Sequence, residues 1–438
     1  MIFYLYNILV NLSFIILLPY FLFKIIFARK YRKGLFEKFG FIDSDKLRKT
    51  GKKRVWLHAV SVGETKAVIQ LVRLLKKKHP DADIVFSTMT LTGNIIANEN
   101  LLSYVTSVIY FPLDLLWVVK RVVQRVSPDI FIVAEKEIWP NILNVLKAKG
   151  VPVVVVNGKI SDRSFRRYLF FSFFFKCVFQ NVAFFCAQTE RDRHRAVALG
   201  VPAERVCVTG NLKFDMEIPV WTSPEREEIM QALGIRDSDI VFVAGSTHDG
   251  EEEIILHVFS RLKRELPGLK LLIAPRHPDR FEEIENLIKS KGFSFLKKSD
   301  THHSSLITHH SFDVILLDTM GELGKMFGLA TAAFVGGSLV NIGGHNLLEP
   351  VLHKKPVIFG QFIQDYREIA DILIKSEGGI MVRDSSELEG VLRKIFLDRR
   401  LAKERGEAGY RVIEENRGVT KKCLAIIEKF LNKNSMLA

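Results

Sequence analysis

A chain of 438 residues with 48% hydrophobic and 26% charged residues is too long for one small domain and too apolar to be disordered, so two or three domains with real cores are expected. Its 63 Lys and Arg exceed its 49 Asp and Glu, a net charge of +14. The four cysteines, Cys177, Cys186, Cys207 and Cys423, form no CxxC pair, which excludes a disulfide framework and a zinc ribbon and fits a reducing compartment.

Residues 1–23 carry no charge and are dominated by Ile, Leu and Phe. The run reaches the ~20 residues needed to cross a bilayer. Twelve Lys and Arg then lie in residues 24–54, opposed only by Glu37, Asp43 and Asp45, so +9 of the +14 follows the apolar run directly. Basic residues placed there keep their side cytoplasmic and attract anionic headgroups. A cleavable signal peptide, with its charges before the run and a small-residue cleavage site after it, fits less well. Asn7, Asn11, Ser13 and Pro19 interrupt the run, so a spanning anchor and a monotopic one both stay open. Charge clustered beside an anchor, with no recognition motif after it, argues against nucleic acid as a partner.

Beyond Gly51, short apolar runs alternate with amphipathic stretches such as ETKAVIQLVRLLKKK (64–78). The runs at 55–60, 84–87, 108–111, 130–134, 153–156 and 184–187 read as buried strands. The rhythm restarts at 240–246 and continues through 271–274, 314–317, 333–336 and 357–360. A βαβ rhythm predicts parallel sheets covered on both faces. Residues 211–226, with two prolines and no periodicity, read as a hinge. Two Rossmann-like domains facing a cleft are therefore expected, with ligands beyond the carboxyl ends of the strands. The expected boundaries are an anchor over 1–28, an N-terminal domain over 29–215, a C-terminal domain over 216–412 and an amphipathic tie helix over 413–438.

Several strand-to-helix junctions carry polar residues suited to chemistry, each with an ordinary structural alternative. In SVGET (61–65), Glu64 falls in a first helical turn, where a capping box with Ser61 is the ordinary reading. In AEKEIWPN (134–141), Glu135 and Glu137 end an apolar strand; either they point at a ligand or Lys136 and solvent satisfy them. In GNLKFD (210–215), Lys213 places a cation at the hinge, where a solvated lysine is the plain alternative. The turn GSTH (245–248) offers backbone N–H groups to an anion or to a cap. In APRHP (274–278), two prolines stiffen Arg276 at a strand end, which favours phosphate binding over a surface ion pair. DTMGEL (318–323) is a similar junction. Gly336-Gly337-Ser338 and GGHNLLEP (343–350) form a double-glycine loop opening a helix, with Glu349 about one and a half turns in, positioned for ribose hydroxyls. The block FRRYLFFSFFFKCVF (165–179) reads as one helix, apolar nearly all round with basic flanks, either buried or dipping into a membrane. No Asp pair or His/Cys cluster demands a metal, and no cofactor is expected.

SVGET, AEKEIWPN, NGKISDRS, AQTERD, TGNLKFD, GSTHDGEE, APRHPDRF, DTMGEL, FVGGSL and GGHNLLEP occur in this order from the anchor to about residue 414. As a set they closely resemble the 3-deoxy-D-manno-octulosonic acid (Kdo) transferases of lipopolysaccharide biosynthesis. The resemblance implies an α/β GT-B glycosyltransferase fold of two Rossmann-like domains, anchored at the cytoplasmic face of the bacterial inner membrane. It implies transfer of Kdo from CMP-Kdo to a lipid A precursor, with inversion. It also implies Glu64 as catalytic base, Glu135 and Lys213 as groups assisting the transition state, and donor contacts from Pro275, Arg276, Met320, Gly321, Glu322, Asn346, Leu347, Leu348 and Glu349. Leu347 departs from the family, where a proline is common. Two alternatives remain beside it: a GT-B enzyme or epimerase using a UDP-sugar, and a membrane adaptor that kept the fold without catalysis.

Overall fold

The computed structural model describes residues 2–27, 32–51, 53–135, 138–217, 220–302 and 312–433. Arg29, Lys30 and Lys52 of the basic belt, and Lys136 and Glu137 of the AEKEIWPN motif, lie outside the described residues. The chain forms two compact units, one of residues 1–216 with 418–438 and the other of 217–417.

Unit 1 holds seven strands, β1 (Lys53–His58), β2 (Ala82–Thr88), β3 (Ser107–Tyr110), β4 (Ile130–Ala134), β5 (Val153–Gly158), β6 (Phe184–Ala187) and β7 (Val206–Val208). They lie in the order β3-β2-β1-β4-β5-β6-β7, all pairs parallel. β1, β2, β4 and β5 are buried along nearly their whole length, which is why they read as unbroken Val/Ile/Phe runs. One apolar cluster, with Trp56, Phe111, Phe131 and Phe185, covers one face; another, with Leu57, Leu71, Phe86 and Ile132, covers the other.

The C-terminal helix Val419–Lys433 belongs to this second cluster through Cys423, Leu424, Ile427 and Leu431. Its start is fixed by Asp215, whose carboxylate accepts from the Gly418 and Thr420 N–H groups at 2.7 and 2.5 Å. A carboxylate there both satisfies orphan donors and opposes the helix dipole.

Unit 2 repeats the design with β8 (Ile240–Thr247), β9 (Leu269–Pro275), β10 (Phe295–Lys297), β11 (Val314–Leu316), β12 (Ala332–Val335), β13 (Val357–Gly360) and β14 (Gly379–Val382). The order is β10-β11-β9-β8-β12-β13-β14, again all parallel. In each sheet the strand order reverses once, between β1 and β4 and between β8 and β12, and such reversals open a crevice at the strands' carboxyl ends.

The N-terminal helix Ile2–Phe27 includes a 20-residue stretch, Ile2–Phe21, long and apolar enough to cross a membrane. It also touches unit 1. The Tyr6 hydroxyl donates to Asp114 at 2.8 Å, Asn7 and Asn141 exchange amide hydrogen bonds at 3.1 and 2.8 Å, and Tyr6 stacks on Phe174. Of the polar residues that interrupt the apolar run, Asn7 docks it, whereas Asn11 donates within its own helix to the Asn7 carbonyl. Tyr4, Leu5, Ile8, Leu9, Leu12, Ile15 and Ile16 remain exposed.

The aromatic block is not the single helix expected. It is two, Asp162–Phe170 and Ser172–Phe179, divided at Phe171. The break turns Val178 and Phe179 into the core and leaves Phe170 79% and Phe173 62% exposed, so the block is neither wholly buried nor wholly apolar surface.

Candidate active site

In unit 1 the first turn of the helix that follows β1 carries Glu64. Ser61 caps the helix Val62–Lys78, its Oγ accepting from the Glu64 N–H at 3.4 Å. The Glu64 carboxylate reaches back, accepting from the Val60 N–H at 2.7 Å, with the Ser61 hydroxyl 3.5 Å from its other oxygen. It is 6% exposed. The capping reading therefore describes its contacts, although the donor is Val60 and not Ser61. Those same contacts fix a carboxylate at the end of β1, on the edge where the strand order reverses.

Glu135 follows β4, the strand across that reversal. Asn157 in β5 donates from Nδ2 to Glu135 Oε1 and accepts on Oδ1 from the Leu212 N–H at 2.9 Å. The Asn157 carbonyl accepts from Gln188 Nε2 at 3.0 Å, and Gln188 Oε1 accepts from Asn211 Nδ2 at 3.1 Å. Asn211 Oδ1 in turn accepts from the Lys213 N–H at 3.0 Å. A single amide network thus ties Glu135 to the turn Leu212–Asp215 that carries Lys213. Asn157, Gln188 and Asn211 lie within the motifs NGKISDRS, AQTERD and TGNLKFD, but the sequence assigned them no role; Asn157 and Gln188 stand at the ends of β5 and β6, and Asn211 caps the turn Leu212–Asp215.

In unit 2, Pro275 ends β9 buried and Arg276 follows it, its N–H donating to the Thr247 carbonyl at 2.9 Å. The Arg276 guanidinium makes no ion pair or side-chain hydrogen bond among the described residues. Its neighbour Arg280 is the opposite case, paired with Glu252, Asp249 and Glu283 at 2.8, 3.3 and 2.6 Å. His248 and His345 stack with Nε2 atoms 2.8 Å apart, and His277 packs on His248. Burial first, then neighbouring cations including Arg276, holds His248 down to about 4 and His345 to about 3. Both rings are neutral at pH 7.

The first double-glycine loop is already occupied. Glu251, fully buried, accepts from the N–H groups of His248, Gly337, Ser338 and Leu339 at 3.0, 2.7, 2.9 and 2.9 Å. At the 245–248 turn the capping alternative describes the His248 N–H, and the expectation that Gly337 and Ser338 offer free N–H groups to a phosphate is corrected: an internal carboxylate fills that place, while the Gly336 N–H donates to the Gly245 carbonyl. The second loop is different. Gly343 and Gly344 adopt φ of 119° and 81°, and a Cβ on Gly343 would stand 2.9 Å from Asp365.

Asn346 Nδ2 donates to Glu349 Oε1 at 3.3 Å, and Asn346 Oδ1 accepts from the Leu348 N–H. Glu349 is the second residue of the short helix Leu348–Leu352, not one and a half turns in. Leu347 and Leu348 are fully buried, so any donor contact there falls to backbone. Met320 is 60% exposed after β11, Gly321 has φ 87°, and Glu322 accepts from the Thr319 hydroxyl and lies 3.8 Å from Lys298.

A family model described as 3-deoxy-D-manno-octulosonic-acid transferase (kdotransferase) matches residues 33–216. The chain is 34% identical over 413 residues to the 3-deoxy-D-manno-octulosonic acid transferase of Haemophilus influenzae, covering 92% of this chain and 93% of that one. The chain belongs to the Kdo transferase family. The transferase of the same name from Chlamydophila psittaci is 32% identical, over 86% of this chain and 84% of its own. A glycosyltransferase structure from Rickettsia africae superposes with a TM-score of 0.58 at 13% identity, covering 87% and 99% of the two chains. That likeness shows the fold alone, and it is the fold expected of a Kdo transferase, GT-B.

Proposed function

We propose that this Kdo transferase moves Kdo from CMP-Kdo to a hydroxyl of a lipid A precursor, with inversion. The observation that carries the site assignment is the Glu64 carboxylate, almost wholly withdrawn from water and fixed by the Val60 N–H beside the strand-order reversal of unit 1. A sugar hydroxyl is a poor nucleophile until it loses its proton, and a fixed carboxylate within ~2.6–3.2 Å accepts that proton as general base. As the glycosidic bond to CMP breaks, the anomeric carbon gains positive character and the leaving phosphate gains negative charge. Glu135 offsets the first. Lys213 and the Arg276 guanidinium offset the second, together with backbone N–H groups of the 343–349 loop. Pro275, Met320, Gly321, Glu322, Asn346 and Glu349 complete the donor contacts.

The acceptor is a lipid, which gives the N-terminal helix its purpose. Its exposed apolar side chains, with Phe170 and Phe173, enter the cytoplasmic leaflet of the inner membrane, and the basic residues that follow it meet anionic headgroups. Incubating the purified full-length protein with CMP-Kdo and a lipid A precursor, and weighing the product, tests the reading. A mass gain of one or more Kdo units is expected. Thermal protection by UDP-N-acetylglucosamine and none by CMP would instead support the UDP-sugar reading.

A further inference from the structure

The two units carry opposite charge. Residues 217–417 contain 26 Lys and Arg against 32 Asp and Glu, a net of −6, so the whole positive surplus belongs to unit 1. One cavity of about 310 Å³ in unit 2 runs against this local sign. Its volume is in the range of small-ligand sites, roughly 300–1,000 Å³. Ile240, Thr331 and Pro356 line it, and these stand at or just before the amino-terminal ends of β8, β12 and β13. Arg276 and the glycine loops follow the carboxyl ends of the strands, at the other edge of the same sheet.

Six cations line the cavity, Arg226, Arg236, Lys354, Lys355, Arg399 and Lys403, against two acids, Asp237 and Asp239. Both acids are engaged. Asp237 pairs with Arg226 at 3.4 Å; Asp239 accepts from the Arg236 N–H at 2.9 Å and lies 3.8 Å from Lys270. Lys354 pairs with Glu407, and Arg399 donates to the Ser238 carbonyl. The side chains of Arg236, Lys355 and Lys403 have no ion pair or hydrogen bond among the described residues. Burial, with Arg226 beside it, holds the Lys355 ammonium below the ordinary lysine value. A partly desolvated cation without a carboxylate is a cost that an entering anion relieves. Met230, Val241, Leu329 and Phe396 supply an apolar wall.

We propose that this cavity is a second ligand site, binding a phosphomonoester whose phosphate meets Lys355, Arg236 and Lys403 and whose organic part lies on the apolar wall. The site is separate from the donor loops and does not depend on the assignment of the catalytic residues.

Acylation of lysines with a small amine-reactive reagent, read by peptide mass spectrometry on the full-length protein in detergent, tests it at the residue. Inorganic phosphate should slow labelling of Lys355 roughly tenfold against potassium chloride of equal ionic strength, as a phosphate held by charge-assisted hydrogen bonds would. The exposed Lys375 should be unaffected. The double variant R236Q/K403Q should lose the protection while keeping its Tm and its labelling rate in chloride. Phosphatidylcholine vesicles containing phosphatidic acid form a second arm. Protection by these and not by inorganic phosphate assigns the site to a lipid headgroup, and protection by inorganic phosphate assigns a soluble ester. Equal labelling in phosphate, phosphatidic acid vesicles and chloride overturns the proposal, as does protection that survives in the double variant.

Discussion

Asn157 Nδ2 meets Glu135 Oε1 at 3.3 Å, and both residues hold left-handed backbone, at φ 56° and 60°. Asn tolerates that region through its short polar side chain, whereas Glu does so at a cost of about 1–3 kcal/mol that the surroundings must offset. The pair therefore spends stability to aim a carboxylate. Asn157→Gly keeps the backbone shape and removes the side chain. It should lower kcat by roughly 10–100-fold with the donor KM little changed, and lower stability by about 1–2 kcal/mol for the lost hydrogen bonds. Steady-state kinetics on the variant checks this; wild-type kcat would exclude a positioning role.

Glu64 is asked to be both a cap and a base, and Glu64→Gln separates the two. The amide oxygen can still accept from the Val60 N–H, so the loop should hold and Tm should move little. An amide cannot take a proton at neutral pH, so kcat should fall by about 10²–10⁴. A variant that unfolds would show that capping dominates; one with normal turnover would remove Glu64 from the chemistry.

Arg276 and Arg280 are four residues apart with opposite surroundings, and their variants should differ accordingly. Arg276→Gln, leaving no internal partner behind, should raise the donor KM by roughly 10–100-fold at unchanged stability. Arg280→Gln strands the buried Glu252, and should lower stability by about 2–4 kcal/mol with a smaller effect on donor KM. Kinetics and urea unfolding on both variants are sufficient, and a reversal of the two patterns would refute the assignment.

How far the sequence reveals this molecule depends on whether a cause is local. The central strands were legible because burial on both faces writes an unbroken apolar run. β7, β10 and β14 were not; they are edge strands of three or four residues, half exposed. Prolines around Arg276 marked it, but that its guanidinium has no ion-pair partner among the described residues is a property of folded surroundings. Nothing beside Glu251 in the sequence marks its role, because the loop it serves lies 86 to 88 residues away. The break at Phe171 carries no Gly or Pro, so nothing local announces it.

Glu251 itself gives a further prediction. Its carboxylate accepts four backbone N–H groups, and Glu251→Gln would turn an NH2 group toward some of those donors. Charge-assisted bonds of this kind are worth about 1.5–3 kcal/mol each. The variant should lose about 3 kcal/mol or more of unit 2 stability and most of its CMP protection, measured by thermal unfolding with and without CMP. Unchanged Tm and unchanged protection would show that the loop holds its shape without the carboxylate.

The pH dependence of unit 1 turns on two buried groups that act in opposite directions. His58 stacks on Phe111 at 3.7 Å, and burial, only partly offset by its bond to the Ser87 carbonyl, holds its pKa down to about 3. Because the folded pKa lies below the ordinary 6.5, the unfolded chain takes up the proton first, and stability is lost as pH falls from 6.5 towards 3. At pH 5 that loss is about 2 kcal/mol. Burial instead raises Asp114 to about 6, against bonds from Asn141, Tyr6 and Ile142 that pull it down. Here the folded state binds the proton first, so stability is gained as pH falls from about 6 towards 3.8, about 1 kcal/mol at pH 5. In the wild type the Asp114 gain offsets roughly half of the His58 loss. His58→Phe keeps the ring contact and removes the titration, while the Ser87 carbonyl still accepts from the Ala59 N–H. Between pH 7 and 5 the variant should therefore gain stability where the wild type loses about 1 kcal/mol. Urea unfolding followed by tryptophan fluorescence in a Trp221→Phe background reads this out, since the other three tryptophans, Trp56, Trp117 and Trp139, all belong to unit 1. Parallel pH profiles for the two proteins would mean that His58 is not held neutral by burial.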